Sequence, residues 1–307
     1  MNYKKHYFLS TIYMIVILTF GCSMEKNNIN KNNNSDSCNN ESATGYSTIT
    51  HNNISREYII HIPDNYNPNE NYPLVINFHG NGDCANTYSN LVADLRSEAN
   101  AGPFILAYPQ GISRTKGAAE WDPTNNAEQN INNNDIFFVE QLIENIRNTY
   151  SINPQKIYAV GYSNGGMLAY GLACHKGNMI AAIGVMSGIM LVDTTCNTNY
   201  FTSVIHMHGQ NDFVLPYSGN RYFSSVESVV DFWLNHNGID NTNITTTQFN
   251  GGNIVKNSYT GGQENTIIDI YTINDGEHVW FNQLFDDTES NTILWNFLNT
   301  NSSNYSF

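Results

Sequence analysis

Short apolar runs that alternate with helical stretches are the feature that most constrains the fold of this chain. The runs at 74–79, 157–162 and 181–186 are rich in apolar residues, as is typical of strands that are buried on both faces of a sheet. Strands separated by helices form a parallel sheet with helices on both faces. The sequence therefore predicts an α/β protein with a mostly parallel central sheet, whose ligands bind at the carboxyl ends of the strands.

The same periodicity predicts the remaining elements. Further strands are expected at 57–62, 104–108, 204–208 and 267–273, and helices at 87–99, 136–150, 167–173, 224–234 and 293–298. We expect one domain over 46–300, followed by a polar tail at 301–307.

Residues 1–21 are predicted to be a signal peptide. Lys4 and Lys5 precede a largely apolar stretch at 7–20, which is too short to cross a bilayer comfortably. Gly21 and Cys22 then resemble the site at which bacterial lipoproteins are cleaved and lipidated; an ordinary signal peptide cut nearby is the alternative. We expect an exported protein, anchored to an outer membrane leaflet through Cys22 at the cell surface or in the periplasm, or otherwise secreted.

Composition identifies a tether and excludes two classes of partner. Residues 22–45 are rich in Asn, with eight in the fourteen positions 27–40, and such a segment buries too little surface to offset its ordering entropy. Thirteen basic and 27 acidic residues give a net charge of −14. This balance argues against nucleic-acid binding and against a polybasic attachment to lipid.

Export changes the interpretation of the cysteines. Apart from Cys22, four cysteines could form two disulfides with three possible connectivities, namely Cys38, Cys84, Cys174 and Cys196. No cysteine or histidine spacing indicates zinc, and no cofactor is expected. We interpret His206 and His208, which share one face of a predicted strand, as packed histidines rather than half a metal site.

The segment Gly161-Tyr162-Ser163-Asn164-Gly165 carries the strongest chemical signal. It has the pattern G-x-S-x-G between a predicted strand and a predicted helix. That pattern places a serine hydroxyl on a sharp turn, with the following N–H at a helix N-terminus. We predict Ser163 as the nucleophile and the N–H of Asn164 as one oxyanion donor.

The loop His79-Gly80-Asn81-Gly82 directly follows another predicted strand. A glycine-rich loop in this place brings backbone N–H groups close to a substrate oxygen. Gly80 and Asn81 are therefore predicted to complete the oxyanion hole; a plain turn is the alternative.

Two more residues follow predicted strands and complete a triad. Asp212 comes after the strand at 204–208, and His278 after the strand at 267–273. The order Ser163, Asp212, His278 is the one used by hydrolases with this alternation of strands and helices. Ser163 would attack, His278 would transfer the proton, and Asp212 would fix the imidazole.

Several segments resemble the polyhydroxybutyrate depolymerase-like and feruloyl esterase branch of secreted α/β-hydrolases. The resemblance rests on the segments at 56–63, 73–80, 107–111, 161–167, 172–174, 208–217 and 278–280. It implies an α/β-hydrolase fold, the triad above and a Cys174–Cys196 disulfide. Glu277 and Phe281 depart from the branch, which leaves the substrate open.

The predicted activity is hydrolysis of carboxylic esters by a serine esterase. Hydroxyalkanoate oligomers, feruloyl or acetyl groups on polysaccharide, and short aliphatic esters are the candidate substrates. Tyr162, Trp121 and Trp280 are predicted to line the pocket, because each lies near a catalytic segment or the same sheet edge. A surface lipoprotein that binds without cleaving and a peptidase of the same fold are the alternatives.

Overall fold

The secondary structure follows the predicted alternation of strands and helices. The computed structural model describes residues 38, 46–51, 54–115, 118–124, 134–192, 196 and 198–305. The strands are β1 (Tyr46–His51), β2 (Ile54–His61), β3 (Tyr72–Phe78), β4 (Ile105–Pro109), β5 (Ile112–Thr115), β6 (Ala118–Glu120), β7 (Ile152–Tyr162), β8 (Ala182–Met186), β9 (Ser203–Gly209), β10 (Ile244–Phe249), β11 (Ile254–Tyr259), β12 (Ile268–Ile273), β13 (Leu284–Phe285) and β14 (Thr288–Glu289). The helices are α1 (Ala85–Thr87), α2 (Arg96–Ala101), α3 (Asp135–Arg147), α4 (Asn164–Lys176), α5 (Val226–Asn237) and α6 (Ser290–Thr300), with a π-helical turn at Tyr88–Val92 and 3₁₀ turns at Asn250–Gly252 and Gln263–Asn265.

Within the described chain, ten strands form one sheet in the order β1-β2-β4-β3-β7-β8-β9-β12-β11-β10. The strands from β4 to β12 in this order run parallel to one another. Antiparallel pairs close both edges, and two small hairpins, β5–β6 and β13–β14, lie outside the sheet. The predicted mostly parallel sheet is confirmed.

Helices cover both faces of the sheet because the central strands are apolar on both sides. In β3, Leu74 and Ile76 belong to the core cluster that contains residues of α3, α4 and α5. Val75, which points the other way, belongs to the cluster that contains residues of α1, α2 and α6. The continuous apolar run of the sequence is thus the signature of a strand buried between two helical layers.

The strand order reverses direction at β3. The chain passes from β3 to β4 on one side and then returns to place β7 on the other side. A crevice forms at the carboxyl ends of strands where the order reverses, and ligands bind there in such sheets. The loop after β3 and the turn after β7, which carry two of the predicted motifs, meet at this point.

The helix predicted at 87–99 is wrong as a single element. It is divided into α1, the π-helical turn and α2. Tyr108 on β4 explains the break: its hydroxyl accepts the N–H of Leu95 at 3.0 Å and donates to the carbonyl of Ala93 at 2.7 Å. A buried tyrosine therefore takes the backbone groups that a continuous helix would use.

Three strands of the large sheet were not predicted from the sequence: the edge strands β1 and β10, and β11 beside β10. β10 illustrates the reason, because all its residues except Phe249 are exposed. A strand at the solvent edge of a sheet has no buried face, so it does not show the alternation of apolar and polar residues that identifies a strand.

Two disulfides lie in the described part of the chain. Cys174 at the end of α4 bonds to Cys196, the pair implied by the family resemblance. Cys38 bonds to Cys84, a pairing that the sequence left open, and so joins the segment before β1 to the loop after β3. Disulfides of this kind are typical of exported proteins.

The predicted signal peptide, Cys22 and, apart from Cys38, the tether at 22–45 lie outside the described residues. Of the predicted polar tail, residues 301–305 are described and its first residues pack on the domain. The hydroxyl of Tyr158 donates to the carbonyl of Asn301, and the N–H of Ser303 donates to Gln155. Among the described residues, no helix has the length and apolarity to cross a membrane.

Candidate active site

The turn between β7 and α4 holds Ser163 in a strained backbone conformation. Its φ of 53° and ψ of −117° lie outside the regions favoured by L-residues. The neighbouring glycines are required by close packing: a Cβ on Gly161 would lie 2.2 Å from the carbonyl carbon of Gly165, and one on Gly165 would lie 2.1 Å from the carbonyl oxygen of Phe78. The absence of a side chain at Gly165 therefore lets the turn fit against the end of β3, and its absence at Gly161 lets the turn close on itself.

The structure brings the three predicted catalytic residues together. His278 Nε2 lies 2.9 Å from Ser163 Oγ, and His278 Nδ1 lies 2.7 Å from Asp212 Oδ2. Both distances are those of hydrogen bonds. The three side chains come from loops after β7, β9 and β12, all at the carboxyl edge of the sheet.

Asp212 is held as a carboxylate by several donors. Its Oδ1 accepts the backbone N–H groups of Val214 and Leu215 at 2.9 and 2.8 Å. Burial raises the pKa of Asp212, but hydrogen bonds from His208 and His278 outweigh burial and hold the pKa well below its usual range. A negative charge is therefore fixed beside His278.

The loop that carries His278 is attached to the sheet at two points. The hydroxyl of Tyr162, beside the nucleophile, donates to the carbonyl of His278 at 2.8 Å. The buried Ser187, with a φ of 45°, donates its hydroxyl to the carbonyl of Val279 at 2.8 Å. These two hydrogen bonds fix the position of the imidazole relative to Ser163. The sequence gave no indication of a role for Ser187.

The predicted oxyanion residues surround Ser163. Asn164 begins α4 directly after the nucleophile, and a Cβ built on Gly80 would lie 3.6 Å from the Cβ of Ser163. In the loop after β3, the N–H of Gly82 donates to the carbonyl of Ala119, and the N–H of Asp83 donates to the carbonyl of Gly80. The N–H groups of Gly80, Asn81 and Asn164 remain the candidate donors.

Two buried side chains, His79 and Trp121, hold these loops through hydrogen bonds. His79 is fully buried; its Nδ1–H donates to the carbonyl of Gly80 at 2.7 Å, and its Nε2 accepts the N–H of Gly111 at 2.9 Å. Trp121 donates its indole N–H to the carbonyl of His79 at 3.0 Å. The Asn164 side chain accepts the N–H of Trp121 at 2.7 Å and donates to its carbonyl at 3.0 Å.

The three aromatic residues predicted to line the pocket occupy different environments. Trp280 is 5% exposed and packs edge-on against Tyr88 at 6.0 Å, with its indole N–H on Asn291. Trp121 is 3% exposed. Both indoles are almost completely buried within the core clusters, so we assign them a supporting role rather than an exposed place in the pocket wall. Tyr162 is half-buried against His278.

Two exposed apolar side chains instead follow triad residues directly in the sequence. Phe213 follows Asp212 and is 64% exposed, and Val279 follows His278 and is 43% exposed.

The described residues contain no cluster of three or more potential metal ligands. His206 and His208 are completely buried, as is typical of packed histidines.

Comparison with known proteins places the chain among esterases. Residues 50–238 match the model of the Esterase family. The chain is 27% identical over 212 residues to feruloyl esterase C of Emericella nidulans, covering 67% of this chain and 71% of that protein. It is 26% identical over 231 residues to feruloyl esterase D of Neurospora crassa, covering 74% and 75% of the two proteins.

A solved structure shows the same fold. Acetyl xylan esterase from Aspergillus awamori superposes with a TM-score of 0.58 at 16% sequence identity, over 76% of this chain and 94% of that one. With the strand order described above, this likeness confirms the predicted α/β-hydrolase fold.

The buried His79 predicts a loss of stability in acid. Burial, together with the Arg56 charge and despite the bond to Gly80, lowers the pKa of His79 from 6.5 to about 4. Between these values the unfolded chain binds a proton that the folded protein does not, so stability is complete above pH 6.5 and falls toward pH 4. The loss is about 3 kcal/mol at 1.36 kcal/mol per pKa unit.

His79→Gln removes the titrating group and leaves a side chain that can accept a hydrogen bond. Urea unfolding between pH 4 and pH 7 should show that the parent loses about 3 kcal/mol more than the variant over this interval. Parallel stability profiles for the two proteins would contradict the assignment.

Proposed function

Because the chain belongs to the Esterase family, in a feruloyl esterase-like branch, we propose that Ser163, His278 and Asp212 are its catalytic triad. The protein is a carboxylic ester hydrolase. The observation that carries the proposed mechanism is the hydrogen-bond chain from Ser163 Oγ through His278 to Asp212, at 2.9 and 2.7 Å.

In this mechanism Ser163 Oγ attacks the ester carbonyl carbon while His278 Nε2 takes the hydroxyl proton. Negative charge develops on the carbonyl oxygen, where the N–H groups of Asn164 and of the Gly80-Asn81 segment would stabilise it. His278 returns the proton to the departing alkoxide, which leaves an acyl group on Ser163. Water then repeats the sequence: its proton passes to His278 and on to Ser163 Oγ as the acid is released.

Asp212 contributes by orientation and charge. Its Oδ2 accepts a hydrogen bond from the Nδ1–H of His278, so the Nε2 lone pair faces Ser163. The carboxylate charge also stabilises the imidazolium that forms during attack.

We propose hydroxycinnamoyl esters on polysaccharide as the substrate class. The relatives named above are feruloyl esterases, and the exposed apolar side chains Phe213 and Val279 directly follow Asp212 and His278 in the sequence. A planar aromatic acyl group gains more than an acetyl group from contact with such side chains. Hydroxyalkanoate and acetyl esters are the competing classes, and a substrate panel separates them.

The proposed location is outside the cytoplasm, with Cys22 as a lipid anchor. Disulfides between Cys38 and Cys84 and between Cys174 and Cys196 require an oxidising compartment. The apolar stretch that ends at Gly21-Cys22 supplies the export signal and the cysteine.

Removing the nucleophile should abolish turnover. Ser163→Ala and His278→Ala should each lower kcat by roughly 10⁴–10⁶, and the double variant should be little worse than either, because the residues act as a unit. Steady-state hydrolysis of a chromogenic ester, with thermal unfolding as a control for folding, measures these losses. A Ser163→Ala enzyme with parental kcat would overturn the triad, and a binding protein without hydrolytic activity would show no turnover in the parent.

The acyl preference should depend on Phe213. Phe213→Ala should lower kcat/KM for methyl ferulate about 10-fold or more and change acetyl ester hydrolysis much less, since only the larger acyl group reaches this side chain. Kinetics on ferulate, acetate and 3-hydroxybutyrate esters provide the measurement. Trp280→Ala, a substitution of a buried aromatic residue, is the control; it should lower stability and change kcat/KM for all esters alike. Equal losses of kcat/KM on ferulate and acetate esters in Phe213→Ala would show that Phe213 does not recognise the acyl group.

Anchoring should depend on Cys22. In a bacterial host that processes lipoproteins, the parent should partition with membranes and be released by detergent, whereas Cys22→Ser should be recovered without detergent. Mass spectrometry of the mature N-terminus provides an independent readout. A parent that begins at another residue and needs no detergent would show that an ordinary signal peptide is used.

A further inference from the structure

Three buried polar side chains continue the hydrogen-bond network behind Asp212. His206 and His208 lie on the same face of β9, and Tyr170 approaches them from α4. The two histidines are completely buried and Tyr170 is 1% exposed. We call these three residues the buried relay; the proposed esterase mechanism gives them no role.

The contacts of the buried relay are continuous. Tyr170 Oη lies 2.8 Å from His206 Nδ1, and His206 Nε2 lies 3.0 Å from His208 Nδ1. His208 Nε2 lies 2.8 Å from the carbonyl oxygen of Leu215 and 3.3 Å from Asp212 Oδ2. The last contact joins the relay to the carboxylate that bonds His278.

When His208 is neutral, the acceptors at one end fix the direction of every bond. Leu215 O and Asp212 Oδ2 can only accept, so His208 Nε2 carries a proton. In a neutral His208, Nδ1 is then an acceptor and takes the Nε2–H of His206. Nδ1 of His206 accepts in turn from Tyr170.

The surroundings favour a neutral His206 and a protonated Tyr170. Burial lowers the pKa of His206 well below its ordinary value. Burial raises the pKa of Tyr170, so its hydroxyl keeps the proton that it donates. His206 therefore stays neutral and Tyr170 remains a donor.

Aromatic side chains and one carboxylate pack against the buried relay. Trp233 on α5 stacks on Tyr170 at 6.1 Å. The ring of Tyr217 stands edge-on to His208 at 5.9 Å, with its hydroxyl bonded to Thr272 on β12. Among the described residues, Asp212 is a charged group that contacts the relay, through His208. A metal site is disfavoured, because the facing nitrogens of the two histidines are used by one another.

We propose that His208 is a positioning residue for Asp212, and that His206 and Tyr170 act through it by fixing its tautomer. The proposal rests on the proposed triad. His208 and His278 would both donate to Oδ2 of the carboxylate, His208 from the buried side and His278 from the side of the nucleophile. The reversed tautomer would turn a nitrogen lone pair toward two oxygen acceptors, and Asp212 would lose this donor.

Loss of the His208 donor should change both rate and pH dependence. In the full-length enzyme, His208→Phe should lower kcat about 10–100-fold with KM changed less than about twofold, the scale of one hydrogen bond to a charged group. A less compensated carboxylate binds the proton of the His278–Asp212 pair more tightly. The acid limb of the kcat/KM profile should therefore move to higher pH, by roughly 0.5–1 unit.

Two further variants separate positioning from packing. His208→Gln keeps an N–H donor near the position of Nε2 and should recover most of kcat and the parental acid limb. Tyr170→Phe removes one oxygen atom from the far end of the relay; it should lower kcat about 3–10-fold and shift the acid limb in the same direction. Tyr158→Phe, which removes another buried hydroxyl that donates to Asn301, should leave the pH profile unchanged.

Each outcome decides the proposal. Unshifted acid limbs in His208→Phe and Tyr170→Phe would overturn it, as would a His208→Gln enzyme as impaired as His208→Phe. If His208→Phe does not fold, Tyr170→Phe against Tyr158→Phe decides. Ser163→Ala is measured alongside: an inactive Ser163→Ala with parental relay variants would reject only the relay, whereas an active Ser163→Ala would reject the triad itself.

Discussion

The strained turn at Ser163 is the constraint on which the arrangement of the site depends. A positive φ at a serine is unfavourable, and it persists because the turn is packed against the end of β3. Gly165 allows that contact, which brings the helix N-terminus at Asn164 and the loop after β3 to the same point. The position of His278 follows, because Tyr162 in the same turn holds its carbonyl.

A buried ion pair also supports this turn. Arg56 donates to Asp135 at 2.9 Å. Asp135 also accepts the N–H of Asp122 at 2.7 Å, so the ion pair fixes the segment that contains Trp121. The backbone of that segment forms two hydrogen bonds with the side chain of Asn164. An ion pair distant from the nucleophile thereby helps to position the oxyanion region. Such pairs are costly to break because each partner leaves a buried charge behind.

Sequence interpretation failed where the deciding contact came from a distant segment. The helix expected at 87–99 is broken because Tyr108 takes backbone groups at Ala93 and Leu95. β10 was missed because an exposed edge strand has no apolar face. Trp280 lies two residues from His278 in the sequence, yet its ring points into the core, since adjacency along a loop does not determine which side of the loop a side chain occupies.

The sequence by itself determined the alternation of strands and helices, the parallel core and the motifs that follow β3, β7, β9 and β12. These are local signals: apolar periodicity, glycines around a serine, and polar residues just after strands. Tertiary structure decided the disulfide of Cys38 with Cys84 and the contacts of His208 and Ser187 with the loops of the site. Their geometry depends on distances between segments far apart in the chain, which no local pattern records, because packing of the two helical layers on the sheet is what brings those segments together.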